Sequence, residues 1–276
     1  MIRADFHIHS NRSDGEHSPA RLMQFAKCGG LTHVALTDHD TVSGIDAARE
    51  AAERQHLVFL PGVELSSFDG REVHILGFCR DWTSASLTVE TNLAAEFRAR
   101  RNKLVFRALQ QQGVNVGWED LRKLYPHASW SRVGRSHIAR LLIEKKYAQN
   151  NADAFSRYIG STGCAYVTAD RFSVKQAIEA VLRNGGMPVL AHPKNLNMDP
   201  QEFEPYLKSL ISFGLEGIES RYFSHTEREA AYYSELARKY NLAETGGSDY
   251  HGQYRNAPLG EYFTPDDETM LALKIR

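Results

Sequence analysis

Long apolar runs are missing from this 276-residue chain: no stretch of 18 apolar residues occurs, so no membrane-spanning helix is expected. Cysteine is scarce as well. Its three copies, Cys28, Cys79 and Cys164, are widely spaced and form no Cys-x-x-Cys pair. That excludes a disulfide framework and a thiolate zinc site, and each is expected to be a small buried hydrophobe. Neither sign of charge is in excess. The sum of 33 basic and 34 acidic residues is −1, so no global field recruits nucleic acid or an acidic membrane, and only a local basic patch remains open. Low-complexity segments, Pro/Ser-rich linkers and internal repeats are absent, and Met1–Asp5 carries no apolar leader, so a cytoplasmic chain is expected. What is there is an ordinary globular balance, 42% hydrophobic and 24% charged, which excludes a mostly disordered or collagen-like chain. Histidine is the unusual component, with 12 copies, several of them beside carboxylates at the ends of apolar runs.

Short β-branched or apolar runs alternate with helical patterns, an order that favours a parallel α/β core. The predicted strands are Ala4–His9, His33–Thr37, Val58–Pro61, Glu72–Gly77, Met187–Ala191, Glu216–Glu219 and Leu242–Thr245. Seven such runs are close to what a closed barrel needs. Helix ends are marked by Ser18-Pro19 and Gly29-Gly30, by Ser173 and Gly185-Gly186, and by Asp199-Pro200 and Gly214. Between Cys79 and Asp170 the alternation stops. Leu87–Gln112, Trp118–Tyr125, Ser131–Lys146 and Ala152–Ile159 read as helices, with Ala165–Thr168 the one further strand candidate. Residues 1–80 and 170–276 are therefore expected to form a barrel, and 81–169 a helical insertion serving as lid or substrate wall. Arg98, Arg100, Arg101, Lys103 and Arg107 on its long helix read either as a solvated face or as a wall toward an anionic substrate.

Chemistry concentrates where the strands end. The first run closes on His7-Ile8-His9, whose imidazoles share one face because strand residues two apart point the same way. Asp14 follows on the exit loop. Later runs deliver His39 in Thr37-Asp38-His39-Asp40, Glu64 after Gly62-Val63, His74 among β-branched neighbours, His192 in Ala191-His192-Pro193, and Asp249 and His251 after Gly247-Ser248. Each alone reads equally well as a satisfied core histidine or a capping aspartate. Recurrence on six elements decides against that, because the catalytic rim of a parallel barrel lies at the strand C-termini. Imidazole and carboxylate without thiolate suit zinc, manganese or iron, in a number beyond the needs of one ion. Asp38 and Asp40 read as groups orienting imidazoles, or Asp40 as the cap of a helix beginning near Ser43.

These motifs together strongly resemble the polymerase and histidinol phosphatase (PHP) superfamily, and in particular its stand-alone branch with a helical insertion. That branch includes nucleoside 3′,5′-bisphosphate phosphatases and 5′→3′ exoribonucleases acting on short RNA. The resemblance implies a distorted seven-stranded (β/α)7 barrel with a helical insertion domain, and two or three divalent metal ions (manganese, iron or zinc). It implies that His7 and His9 hold one ion with Glu64 and Asp249. Glu64 would bridge to a second ion held by His74 and His192, and Asp14, His39 and His251 would hold the third.

Within the insertion, Gly134-Arg135-Ser136-His137-Ile138-Ala139 resembles the branch's Gly-Arg-Pro-His-Ile-Ala signature, which implies that Arg135 and His137 grip a substrate phosphate. Two departures stand out. Ser136 replaces proline, and Gly163-Cys164-Ala165-Tyr166-Val167 lacks the lysine of the branch's Gly-Lys-Pro-Ala-Tyr-Val, with Arg171 a candidate substitute. The segment Glu219–His225 resembles one lining the substrate side, making Arg221 and His225 candidate substrate contacts, and His225 with Asp249 candidate catalytic groups. The expected activity is metal-dependent hydrolysis of the 3′-phosphate of nucleoside 3′,5′-bisphosphates. Alternatives are a 5′→3′ exoribonuclease on short 5′-phosphorylated oligonucleotides, a histidinol phosphatase and a non-catalytic metal-binding accessory domain. Tyr125, Trp130, Tyr166, Tyr222 and Phe223 are the aromatics available to stack bases, and no obligate protein partner is indicated.

Overall fold

The computed structural model describes residues 2–79, 82, 83, 85–126, 128–252, 257–260, 263 and 265. Along the chain run β1 (Ala4–Asp5), α1 (Pro19–Cys28), β2 (His33–Leu36), α2 (Ile45–Arg54), β3 (Val58–Phe68) and β4 (Glu72–Phe78). Four helices follow: α3 (Ala85–Gln111), α4 (Trp118–Leu124), α5 (Arg135–Glu144) and α6 (Asn151–Ala154). The rest is β5 (Phe172–Ser173), α7 (Val174–Arg183), β6 (Met187–Leu190), α8 (Pro200–Ser212), β7 (Gly217–Tyr222), α9 (Glu227–Tyr240) and β8 (Ala243–Gly247). The chain divides into two units, one of residues 1–92 with 172–276 and one of residues 93–171, so the division falls inside α3.

In the first unit the strands lie in the order β1-β2-β3-β4-β6-β7-β8, with β5 paired to β3. The sheet nearly closes on itself: the Phe6 N–H donates to Gly246 O at 3.0 Å and the His9 N–H to Tyr250 O at 2.9 Å, returning the β8 side to β1. This is the distorted seven-stranded barrel that the sequence implies. All seven predicted strands form, but the parallel expectation fails at one of them. β4 pairs antiparallel with both β3 and β6, while the other neighbours in the ring are parallel. The reversal is made by a tight turn in which the Asp69 N–H donates to Arg71 O and Gly70 takes φ +67°. A turn this short can only join antiparallel strands.

The core follows the strand periodicity. Ala4 and Phe6 join an apolar cluster with Ala35, Leu60, Leu76 and Val189, while Ile8 packs in a second cluster with Leu22, Met23, Ile45 and Ala48 of α1 and α2. The intervening Asp5, His7 and His9 are equally buried and point the other way. The marked caps form: Ser18, Ser173 and Asp199 each accept from the backbone N–H three residues on. Ala165–Thr168 is not a strand, and α5 starts at Arg135 rather than Ser131. Cys79 is buried as expected, but Cys28 and Cys164 are exposed.

One buried carboxylate fastens the closure. Asp5 Oδ1 accepts from the backbone N–H groups of His7 (3.2 Å) and Ser248 (3.0 Å), and Oδ2 from that of Gly260 (3.0 Å). Burial raises its pKa above the ordinary carboxylate value, against the pull of these donors. Gly247 is required beside it, since a Cβ there would lie 2.5 Å from His7 Cβ. Asp5→Ala would strand three backbone donors, and we expect it to lower the unfolding free energy by about 3 kcal/mol or more. Urea denaturation followed by circular dichroism measures this; an unchanged midpoint would remove Asp5 from the closure.

Candidate metal centre

Each strand end brings one part of the site. β1 runs on to His7 and His9, and its exit loop turns back at Gly15, where a Cβ would collide with the His9 carbonyl, to present Asp14. Past β2 the backbone still pairs with β3: the Asp40 N–H donates to Glu64 O and the Glu64 N–H to Asp38 O, which sets His39 beside Glu64. In the β3–β4 hairpin, His74 lies opposite Ser66 and diagonally across from Glu64. Because β4 runs backwards, a histidine near its start reaches the same end of the sheet as the C-termini of the parallel strands. His192 follows β6 and Asp249 follows β8, both in the left-handed backbone region (φ 30° and 50°) that β-carbon-bearing residues seldom adopt.

Five imidazoles surround the fully buried Glu64 carboxylate. His7 Nε2, His9 Nε2 and His39 Nδ1 lie 3.3, 3.1 and 2.9 Å from its Oε2, and His74 Nδ1 and His192 Nε2 lie 2.8 and 2.9 Å from Oε1. The same His9 Nε2 also has Asp249 Oδ1 at 3.2 Å, and Asp14 Oδ1 lies 3.2 Å from His251 Nε2. Donor atoms fall into three compact groups: His9, Asp14, His39 and His251; His7, His9, Glu64 and Asp249; and His39, Glu64 and His74. All nine sequence candidates are thus brought together. His9, His39 and Glu64 each belong to two groups, and His192 joins through Glu64.

The donor set fits divalent cations, for a reason visible in its geometry. His7 Nε2, His9 Nε2, His39 Nδ1, Glu64 Oε2 and Asp14 Oδ1 are buried, converge on one another and yet make no hydrogen bond. Protein interiors rarely leave such atoms unsatisfied, whereas lone pairs converging on a shared point are what a metal ion requires. Charge balance agrees. Burial disfavours the imidazolium of His7, but Glu219, Glu64 and Asp249 outweigh it and hold its pKa well above the ordinary value. Burial likewise opposes charge on His9 and His74, and neighbouring carboxylates raise them to about 9 and about 10. Burial lowers His39 to about 4. The acids Glu64 and Asp14 are desolvated, yet the surrounding imidazoles hold both well below the usual range. The cluster demands positive charge, and bound cations meet that demand by displacing protons.

Other candidates land elsewhere. Asp38 orients no imidazole by hydrogen bond; it accepts from Ser10 N–H and from the hydroxyls of Ser10 and Ser13, bracing the loop to Asp14. Asp40 accepts from the Ser66 N–H and does not cap α2, whose N-cap is Gly44. Arg221 is half-exposed and paired with Glu227. His225 donates from Nδ1 to Ser220 O, and burial lowers its pKa, so Nε2 is an acceptor. Two partners of the cluster were missed: Glu219 accepts from His7 Nδ1 at 3.0 Å, and Tyr222 donates to Asp249 Oδ2 at 3.0 Å.

In the helical unit, Arg135 and His137 occupy the first turn of α5. The Gly134 N–H donates to His137 Nδ1 at 3.1 Å, so that ring carries its proton on Nε2. Buried Asn102 holds the approach, donating to Trp130 O and Val133 O at 2.8 and 2.7 Å. Arg135 lies 5.7 Å from the Tyr166 ring. Along α3, Arg98 and Arg101 are buried whereas Arg100, Lys103 and Arg107 are exposed, so the basic residues do not form one solvated face. Arg171 donates to Val167 O.

Residues 5–240 match the PHP domain family. The chain belongs to that family. A 5′-3′ exoribonuclease of Haemophilus influenzae is 31% identical over 90% of this chain and 89% of its own. A phosphoribosyl 1,2-cyclic phosphate 1,2-diphosphodiesterase of Eggerthella lenta is 32% identical over 92% and 96%, and a 3′,5′-nucleoside bisphosphate phosphatase of Chromobacterium violaceum 29% over 91% and 88%. A solved structure from Bifidobacterium adolescentis, described as a metal-dependent phosphoesterase, superposes with a TM-score of 0.88 at 30% identity, covering 99% of this chain and 96% of that one. This PHP chain has no helix, among its described residues, long and apolar enough to cross a membrane.

Manganese at about 100 times its dissociation constant should raise the unfolding free energy of chelator-treated protein by about 2.7 kcal/mol. Glu64→Ala should abolish the response. Differential scanning calorimetry with and without manganese checks both, and a wild-type Tm indifferent to manganese would refute the metal reading.

Proposed function

We propose that this PHP protein is a metal-dependent phosphomonoesterase that removes the 3′-phosphate of nucleoside 3′,5′-bisphosphates. The observation that carries the reading is the convergence of nine imidazole and carboxylate side chains on Glu64 and its neighbours. His7, His9, Glu64 and Asp249 would hold one ion. Asp14, His39 and His251 would hold a second, and Glu64, through its other oxygen, would join His74 and His192 at a third. Divalent ions there supply two things: a coordinated water acidified toward neutrality, and positive charge against the phosphoryl oxygens. Phosphoryl transfer asks for little else beyond positioning.

The remaining chemistry belongs to the chain. Asp249 is divided between tasks, with Oδ1 toward His7 and His9 and Oδ2 held by the Tyr222 hydroxyl. His225 is neutral with an accepting Nε2, which suits a hydrogen bond from a substrate hydroxyl and argues against a resting-state proton donor. Arg135 and His137 would take the second phosphate, the guanidinium offering a planar fork and His137 an Nε2–H donor. Two of the named relatives act on substrates whose names include a second phosphate, which supports a dedicated grip for it. Support for the small-nucleotide reading over a strand comes from the aromatics. Trp130 stacks on Trp118 at 3.9 Å, Tyr125 packs on His137, Tyr166 faces Arg135, and Phe223 packs on Tyr222. These rings serve packing and positioning of the site's own residues. The exoribonuclease reading keeps the support of the relative so named.

With manganese present, adenosine 3′,5′-bisphosphate should release phosphate faster than a 5′-phosphorylated dinucleotide or histidinol phosphate. An inert bisphosphate beside rapid turnover of either other substrate would overturn the choice. Arg135→Ala should lower kcat/KM for the bisphosphate about 100-fold, the equivalent of about 2.7 kcal/mol from a lost charged contact, and that for an aryl phosphate by less than about threefold. Equal losses on both would remove Arg135 from recognition.

A further inference from the structure

We propose that β7, which supplies none of the nine donors, is the positioning strand of the centre: Glu219 and Tyr222 together hold His7, His192 and Asp249 in their ligating geometry. The proposal rests on reading the cluster as a divalent-metal centre. Residues three apart on a regular strand point to opposite faces, so Glu219 and Tyr222 should not serve one site. A β-bulge resolves this. Glu219 pairs with Thr245 and Arg221 with Gly246, which leaves Ser220 as the extra residue and restores Glu219 and Tyr222 to one side. The other side is visibly occupied: Ser220 Oγ donates to Glu244 at 2.7 Å and Arg221 pairs with Glu227 of α9.

What the two side chains hold is specific. Glu219 Oε1 accepts from His7 Nδ1–H, which fixes the tautomer leaving Nε2 toward Glu64 and Asp249. Its Oε2 accepts from the backbone N–H of His192 at 2.7 Å. That backbone is left-handed (φ 30°) and precedes Pro193, a conformation that needs an external hold. Tyr222 does the same for the second left-handed donor: its hydroxyl binds Asp249 Oδ2 at 3.0 Å, and its ring lies 5.5 Å from that of His192. One strand therefore ties together donors arriving from β1, β6 and β8.

The test measures manganese affinity of chelator-treated protein by electron paramagnetic resonance of the free ion, alongside Tm. Glu219→Gln keeps the size of the side chain but offers one accepting oxygen for two donors. We expect it to weaken manganese binding by about 10–100-fold, and Tyr222→Phe by about tenfold. Ser220→Ala is the control, equally buried on the same strand but bonded away from the site; it should lower Tm while leaving manganese affinity within about twofold. A purely structural role for β7 would make all three variants track Tm alone. Manganese binding in Glu219→Gln and Tyr222→Phe as tight as in Ser220→Ala overturns the brace and leaves the metal reading intact. A wild type that takes up no manganese overturns the metal reading and the brace with it. If Glu219→Gln does not fold, Tyr222→Phe decides.

Discussion

Glu64 sits at zero exposure with five imidazole nitrogens within 3.3 Å, and the rest of the barrel is arranged to make that tolerable. A lone carboxylate in an apolar interior costs many kcal/mol unless positive charge accompanies it. Here the nitrogens that face it, and the cations they would hold, cannot come from one neighbour in sequence, so they arrive from β1, β2, β4 and β6 at once. That requirement accounts for the sheet's near closure and for its irregularity. Only a ring of strands aims so many side chains at one carboxylate, and only a reversed β4 brings His74 to the same end. The fold and the site are thus one constraint seen from two sides.

How far the sequence revealed this follows from what strand geometry makes visible. His7-x-His9, His39, Glu64, His192 and Asp249 stand out because polar, ligating residues directly after apolar runs break the expected alternation. The reversal of β4 was less legible, since a period of two carries no direction; the Asp69-Gly70 pair between two strand runs was the available signal. Glu219 and Tyr222 were hidden for a sharper reason. The predicted strand stops at Glu219, three residues short of Tyr222, and even on a continued strand a separation of three would put the two on opposite faces, since nothing in Glu219-Ser220-Arg221-Tyr222 announces a bulge. Asp5 was hidden by its position inside a strand, where a buried acid reads as an ordinary polar residue until its three backbone partners, two of them more than 240 residues away, are seen.

The left-handed donors carry the same logic into energetics. His192 and Asp249 each hold a backbone conformation costing about 1–3 kcal/mol. A chain keeps such residues only where the surroundings determine them, and the hydrogen bonds from His192 to Glu219 and from Tyr222 to Asp249 do so. The centre is preorganised by neutral and charge-assisted hydrogen bonds outside the donor set. A rigid donor arrangement would lose less on binding divalent ions.

Specificity has to come from elsewhere. A cluster of cations recognises a phosphoryl group and little more, and PHP relatives about 30% identical to this chain carry names with three different substrates. What distinguishes them must lie in residues that touch the rest of the substrate. In this chain the helical unit carries the relevant departures: Ser136 where the resembling signature has proline, and exposed Cys164 where it has lysine. Ser136 leaves the start of α5 in place, because Asn102 and the Gly134–His137 bond fix that turn independently of a proline. The missing lysine is a different departure: exposed Cys164 stands in its place, and the Arg171 guanidinium donates to the Val167 carbonyl. On the proposed reading, the second phosphate would therefore fall mainly to Arg135, with His137 donating from Nε2.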